Sequence, residues 1–96
     1  MLNPTTTQSI IKAIVDHQST IIGPLAFSQA NEVDGITFDG NQIRLDQNKT
    51  NNTEVLSQLV QKYEELFGRA SVEVCKEAVH EAAPDISPSD LPDILK

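Results

Sequence analysis

The polar and apolar positions of this chain follow three different periods. The first is helical. Ile10, Ile11, Ile14, Val15, Ile21 and Ile22 recur at three- and four-residue spacings and form one apolar stripe. Lys12, Asp16 and Gln18 read as lying away from it, and Thr5, Thr6 and Thr7 offer N-caps ahead of it. β-branched residues are mediocre helix formers, so packing of the stripe is expected to hold this helix. Gly23-Pro24 then interrupts the pattern. Pro24 has no N–H to give the Thr20 carbonyl and its ring clashes with that turn, yet it suits the first position of a new helix. Leu25, Ala26, Phe27 and Ala30 continue the apolar character for about two turns. Gly23 and Pro24 therefore read as a structural corner between two helices.

The second period is two. Residues 36–45 read as a β-hairpin, with Asp39-Gly40 suited to a two-residue turn. That turn sets Phe38 opposite Asn41 and Ile36 opposite Ile43. Ile36, Phe38, Ile43 and Leu45 then share one face, while Thr37, Gln42 and Arg44 take the other. A lone two-stranded hairpin is marginal in water, so it is expected to lie on helices or to pair with a second chain.

A polar loop over 46–52 leads back to a helical period across 53–83. Its apolar positions are Val55, Leu56, Leu59, Val60, Tyr63, Leu66, Phe67, Ala70, Val74, Cys75, Ala78, Val79 and Ala82. Asn51 with Glu54 three residues on resembles a capping box, and Glu65 with Arg69 has i,i+4 spacing. The stripe stays in phase across Gly68. A continuous helix of about thirty residues is roughly 45 Å long, too long for a compact domain of this size. The segment is therefore expected to bend at Gly68, with Ser71 as a new N-cap, or to extend onto a partner. Pro84 ends it, Ser87-Pro88 carries a helix-start signal, and Ile86, Leu91, Ile94 and Leu95 mark a tail that docks on the body. The fold class is mainly α with one small β-hairpin (α+β), in a single domain spanning 1–96.

Composition narrows the function classes. With three Phe, one Tyr and no Trp, the core must be built from Ile, Leu, Val and Ala. A net charge of -7 disfavours nucleic acid and anionic membrane surfaces, both of which demand clustered Lys and Arg. Cys75 is the single cysteine, so no internal disulfide forms. Neither a secretory signal nor a membrane-spanning run is visible, which makes the cytoplasm the expected compartment and leaves the sequons at Asn48 and Asn51 unused.

Catalytic and metal-binding patterns fail residue by residue. The stretch from Asp46 begins like a calcium loop, but Asn51 stands at its Gly position and Ser57 at its bidentate Glu position. His17 and His80 have no ligand partner at a characteristic spacing, and Cys75 sits in the apolar stripe. Glu64, Glu65, Glu73, Glu77 and Glu81 read as a solvated helix face. No enzyme, cofactor or metal is expected. Lys62, Arg69 and Lys76 recur every seven residues, and at heptad spacing such residues flank an apolar seam. With Tyr63 and Phe67 they form the candidate interface.

The apolar helix followed by Ile22-Gly23-Pro24-Leu25-Ala26 resembles the opening of a small helical domain of unknown function appended to signalling proteins in cyanobacteria. The present chain departs from it by carrying a hairpin between helices. The resemblance implies an interaction or regulatory module and carries no catalytic residues. The expected function is a non-enzymatic protein-interaction module that self-associates as a homodimer. The alternative is a small-molecule-binding or sensory domain with a pocket between the Gly-Pro corner and the hairpin.

Overall fold

A computed structural model describes residues 3–39, 42–46 and 51–96. Among these the order is α1 (Pro4–Ile22), α2 (Leu25–Asn31), β1 (Ile36–Asp39), β2 (Gln42–Leu45), α3 (Asn52–Phe67) and α4 (Arg69–Ala82). Two 3-10 turns, Pro88–Asp90 and Asp93–Leu95, follow. The chain is mainly α with one hairpin, as its periods predict.

The first helix starts earlier than the threonines suggest. Asn3 is its N-cap, its Oδ1 accepting from the Thr6 N–H at 2.7 Å, and Pro4 takes the first position, where a missing N–H costs nothing. Thr7 is instead buried and donates its hydroxyl to the Asn3 carbonyl at 2.9 Å. Gln18 corrects the assigned stripe. It lies four residues after Ile14 and seven after Ile11, so it shares their face and is 1% exposed.

The Gly-Pro corner forms as the sequence predicts, displaced by one position. Gly23 closes α1, its N–H bonded to the Ser19 carbonyl, with φ 70° and ψ -149°. That combination belongs almost solely to glycine. Pro24 has helical angles and occupies the cap position, and Leu25 opens α2.

The hairpin keeps its faces but changes register. Ile36 pairs with Leu45, Thr37 with Arg44, Phe38 with Ile43 and Asp39 with Gln42. Asp39 thus belongs to the ladder, and the expected Asp39-Gly40 turn reaches residues outside those described, as do the Phe38–Asn41 pairing and most of the calcium-like loop. A two-residue shift leaves every side chain on its face while setting apolar against apolar across the strands. On β1, the Phe38 N–H donates to Asn31 Oδ1 at 3.2 Å and the Ile36 N–H to the Val33 carbonyl at 3.2 Å. The Phe38 ring meets Phe27 of α2 edge-on, centroids 5.7 Å apart.

Asn51 caps α3, its Oδ1 accepting from the Glu54 N–H at 2.7 Å, as the capping pattern predicts. The bend at Gly68 is complete. α3 and α4 would span about 45 Å end to end, whereas the longest dimension of the molecule is 31 Å. Gly68 alone makes the turn, at φ 79° and ψ -170°. Ser71 is not the new cap. Gly68 is, and Ser71, third in α4, donates its hydroxyl to the Gly68 carbonyl at 2.7 Å. The expected Glu65–Arg69 pair falls across this break, which removes the helical geometry it needs.

Folding back covers the long stripe from within. Val55, Leu56, Leu59, Val60, Tyr63, Val72, Cys75, Ala78 and Val79 are buried with Ile10, Ile11, Ile14 and Val15 of α1. α1 packs on α4, α4 on α3, α3 on α2 and α2 on α1, closing a ring. The second 3-10 turn lies on α3 and α4, where Leu91 and Leu95 are buried: the docked tail. Among the described residues, no helix is long and apolar enough to cross a membrane.

Candidate functional site

Two buried side-chain hydrogen bonds fix one end of the ring. Gln18 Nε2 of α1 donates to the Ser71 carbonyl of α4 at 3.0 Å. Tyr63 Oη of α3 donates to the Ala26 carbonyl of α2 at 2.7 Å. Each bond joins a residue near Gly23 to a residue near Gly68. Both glycine breaks therefore sit together, and the ends of all four long elements meet there.

Most of the exposed large apolar side chains among the described residues are at this end, Phe27 beside the hairpin being the exception. Ile21 is 63% exposed, Leu25 43%, Leu66 52% and Phe67 39%. All four are in or beside the turns of the two breaks. Isolated exposed apolar side chains are ordinary, but a group of them at one place marks a contact surface. Carboxylates lie near it. Glu64 and Glu65 immediately precede Leu66, and Asp16 and Glu77 line a groove of about 410 Å³ together with Ile21 and Val74. Asp16 is 4.0 Å from Lys12. Glu64, Glu65 and Glu77 have no ion-pair partner among the described residues.

The predicted interface residues divide. Phe67 belongs to the apolar end, and Arg69 opens α4 beside it, exposed. Tyr63 does not belong to any surface. It is fully buried, its hydroxyl satisfied by Ala26, and burial raises its pKa well above the usual tyrosine range. Nor do Lys62, Arg69 and Lys76 form one line, because the chain reverses at Gly68 between the first and the others. Lys62 borders a groove of about 250 Å³ with Glu32, Asp34 and Glu65, while Lys76 lies 3.5 Å from Glu73 on its own helix.

Cys75 lies in the core beneath this end. Its thiol is pushed up to about 11 by burial, a shift the contact from Gln18 Nε2 at 3.4 Å opposes. A thiol held neutral packs as a small hydrophobe and is a poor nucleophile. His17 of α1 meets Glu81 of the adjacent α4, and His80 is on the exposed face of α4. Among the described residues no group of three or more His, Cys, Asp or Glu side chains is placed to hold a metal ion.

A space of about 40 Å³ between α1, α2 and the hairpin is lined by Lys12, Val15, Asp16, Phe27, Phe38 and Ile43. Small-molecule sites occupy several hundred Å³ and bury most of their ligand. The Phe27 and Phe38 rings meet edge to face at the wall of this space.

Periodicity identified the faces that Ile21, Leu66 and Phe67 share with the core, but not their exposure. A stripe tells which side of a helix packs. It does not tell where along that side the covering helix stops. No protein-family model, curated protein or solved structure matches this chain.

Proposed function

We propose that this chain is a non-enzymatic protein-interaction or regulatory module whose contact surface is the end built by its two glycine breaks. The observation that carries this reading is the grouping of Ile21, Leu25, Leu66 and Phe67 in solvent beside two turns held by Gln18 and Tyr63. A rigid platform that leaves apolar side chains uncovered is suited to receiving a protein partner, since little ordering is required on binding. The Ile22-Gly23-Pro24-Leu25-Ala26 corner, whose resemblance implies a regulatory module, forms half of this platform. Self-association is part of the same reading, with less uncovered stripe than a straight helix would leave, because the stripe folds back at Gly68.

Site-specific photo-crosslinking in the native cell tests the reading. A photoreactive side chain at Leu66 or Leu25 should give protein adducts that one at Thr37, on the outer face of the hairpin, does not. Equal yields from the three positions, or none, would refute it.

A further inference from the structure

We infer that the partner of this end is a basic amphipathic segment of another protein, an inference that rests on the interaction reading above. The charge around the apolar surface selects the occupant. Glu64 and Glu65 stand in the last turn of α3, which ends with Leu66 and Phe67, Asp16 and Glu77 share the groove with Ile21, and the whole chain carries -7. Glu64, Glu65 and Glu77 have no ion-pair partner among the described residues, so their charges remain available to an incoming cation. Arg69 is exposed at this end, Lys62 shares a groove with Glu65, and Lys12 lies 4.0 Å from Asp16.

Two copies brought together here would juxtapose two bodies of the same sign, and strong net charge keeps proteins apart. The same field attracts a segment carrying Lys or Arg on either side of an apolar stripe. Such a segment lays its stripe on Ile21, Leu25, Leu66 and Phe67 and its cations against the flanking carboxylates. Repulsion against self and attraction for a basic partner are the two halves of specificity at one surface.

Two synthetic helical peptides with the same Leu spacing, one with Lys and one with Glu on its polar face, test this on the 96-residue chain. Isotope-labelled protein should show amide shifts with the Lys peptide at Ile21, Leu25, Leu66 and Phe67, and none there with the Glu peptide. Raising salt from 0.05 to 0.5 M should weaken binding about tenfold, because screening shortens the reach of the carboxylates. Phe67→Ser and Leu66→Ser should each weaken it by about tenfold, a typical loss for an apolar contact at the centre of an interface. Both side chains are exposed, so circular dichroism should be unchanged. Equal binding of the Glu peptide, or Lys-peptide shifts confined to acidic positions away from this end, would overturn the inference. So would a concentration-dependent homodimer using the same amides, which makes a second copy the occupant. Either result leaves the interaction reading standing if Leu66 still cross-links to protein in the cell; absence of those adducts removes the reading itself.

Discussion

At the residue scale, the two glycines do different work from the proline between helices. Gly23 and Gly68 have φ values of 70° and 79° with extended ψ, a region L-residues avoid at a cost of about 1–3 kcal/mol. A Cβ at either meets nothing within 4 Å, so the cost is backbone strain and not a clash. Gly23→Ala and Gly68→Ala should each lose about 1–3 kcal/mol in urea denaturation, whereas Pro24→Ala should lose under about 1 kcal/mol because its helical angles suit any residue. Cys75 sets a pH limit. Its folded pKa of about 11 exceeds its ordinary 9.0, so the folded state keeps a proton that the unfolded state releases. Stability from this group is whole below pH 9 and falls as pH rises toward 11, by about 2–3 kcal/mol in all. Tyr63, raised for the same reason, steepens the loss above pH 10. Urea midpoints at pH 8, 9.5 and 11 should fall in that order, and Cys75→Ala should flatten the first interval.

At the scale of elements, the sequence was most legible where one local signal acted alone. The Asn51 cap, the Gly-Pro corner and the two hairpin faces follow from near neighbours, and each is formed. Two competing signals misled. Asp39-Gly40 is an acceptable hairpin turn, but the cross-strand match of Phe38 with Ile43 sets Asp39 into the ladder opposite Gln42. Likewise Gln18 was set apart for its polarity, though its spacing from Ile11 and Ile14 put it on the core face. A buried amide is tolerated there because Ser71 accepts its hydrogen bond, a partner 53 residues away that no local pattern reveals. The tail shows the same division. Its apolar residues announced docking, but their site on α3 and α4 depends on the bend. Leu95→Ala should cost about 2–3 kcal/mol, near the lower end for a buried leucine, because the site lies close to the surface and can partly collapse. A thermal melt of the variant checks this, and a change within error would mean the tail only rests on the body.

At the scale of the molecule, closure of the ring explains why the contact end was harder to read than the fold. Ile21, Leu66 and Phe67 are in phase with buried positions, and only the stopping points of neighbouring helices leave them in water. Those stopping points follow from turns at Gly23 and Gly68, the first signalled by its proline and the second by the length of the helical segment around it. The ring also bears on how the chain comes to be folded. Its first helix finds its largest neighbour in its last, with Gln18 and Ser71 joined across 53 residues. During synthesis, α1 must wait for most of the chain before its Ile face has a covering partner. Early contacts between α1 and α2 close short loops, whereas the contact with α4 closes a long one and comes at a larger entropic cost. No N-terminal half is complete enough to settle first. The chain is expected to cross one barrier as a unit, after α4 has emerged.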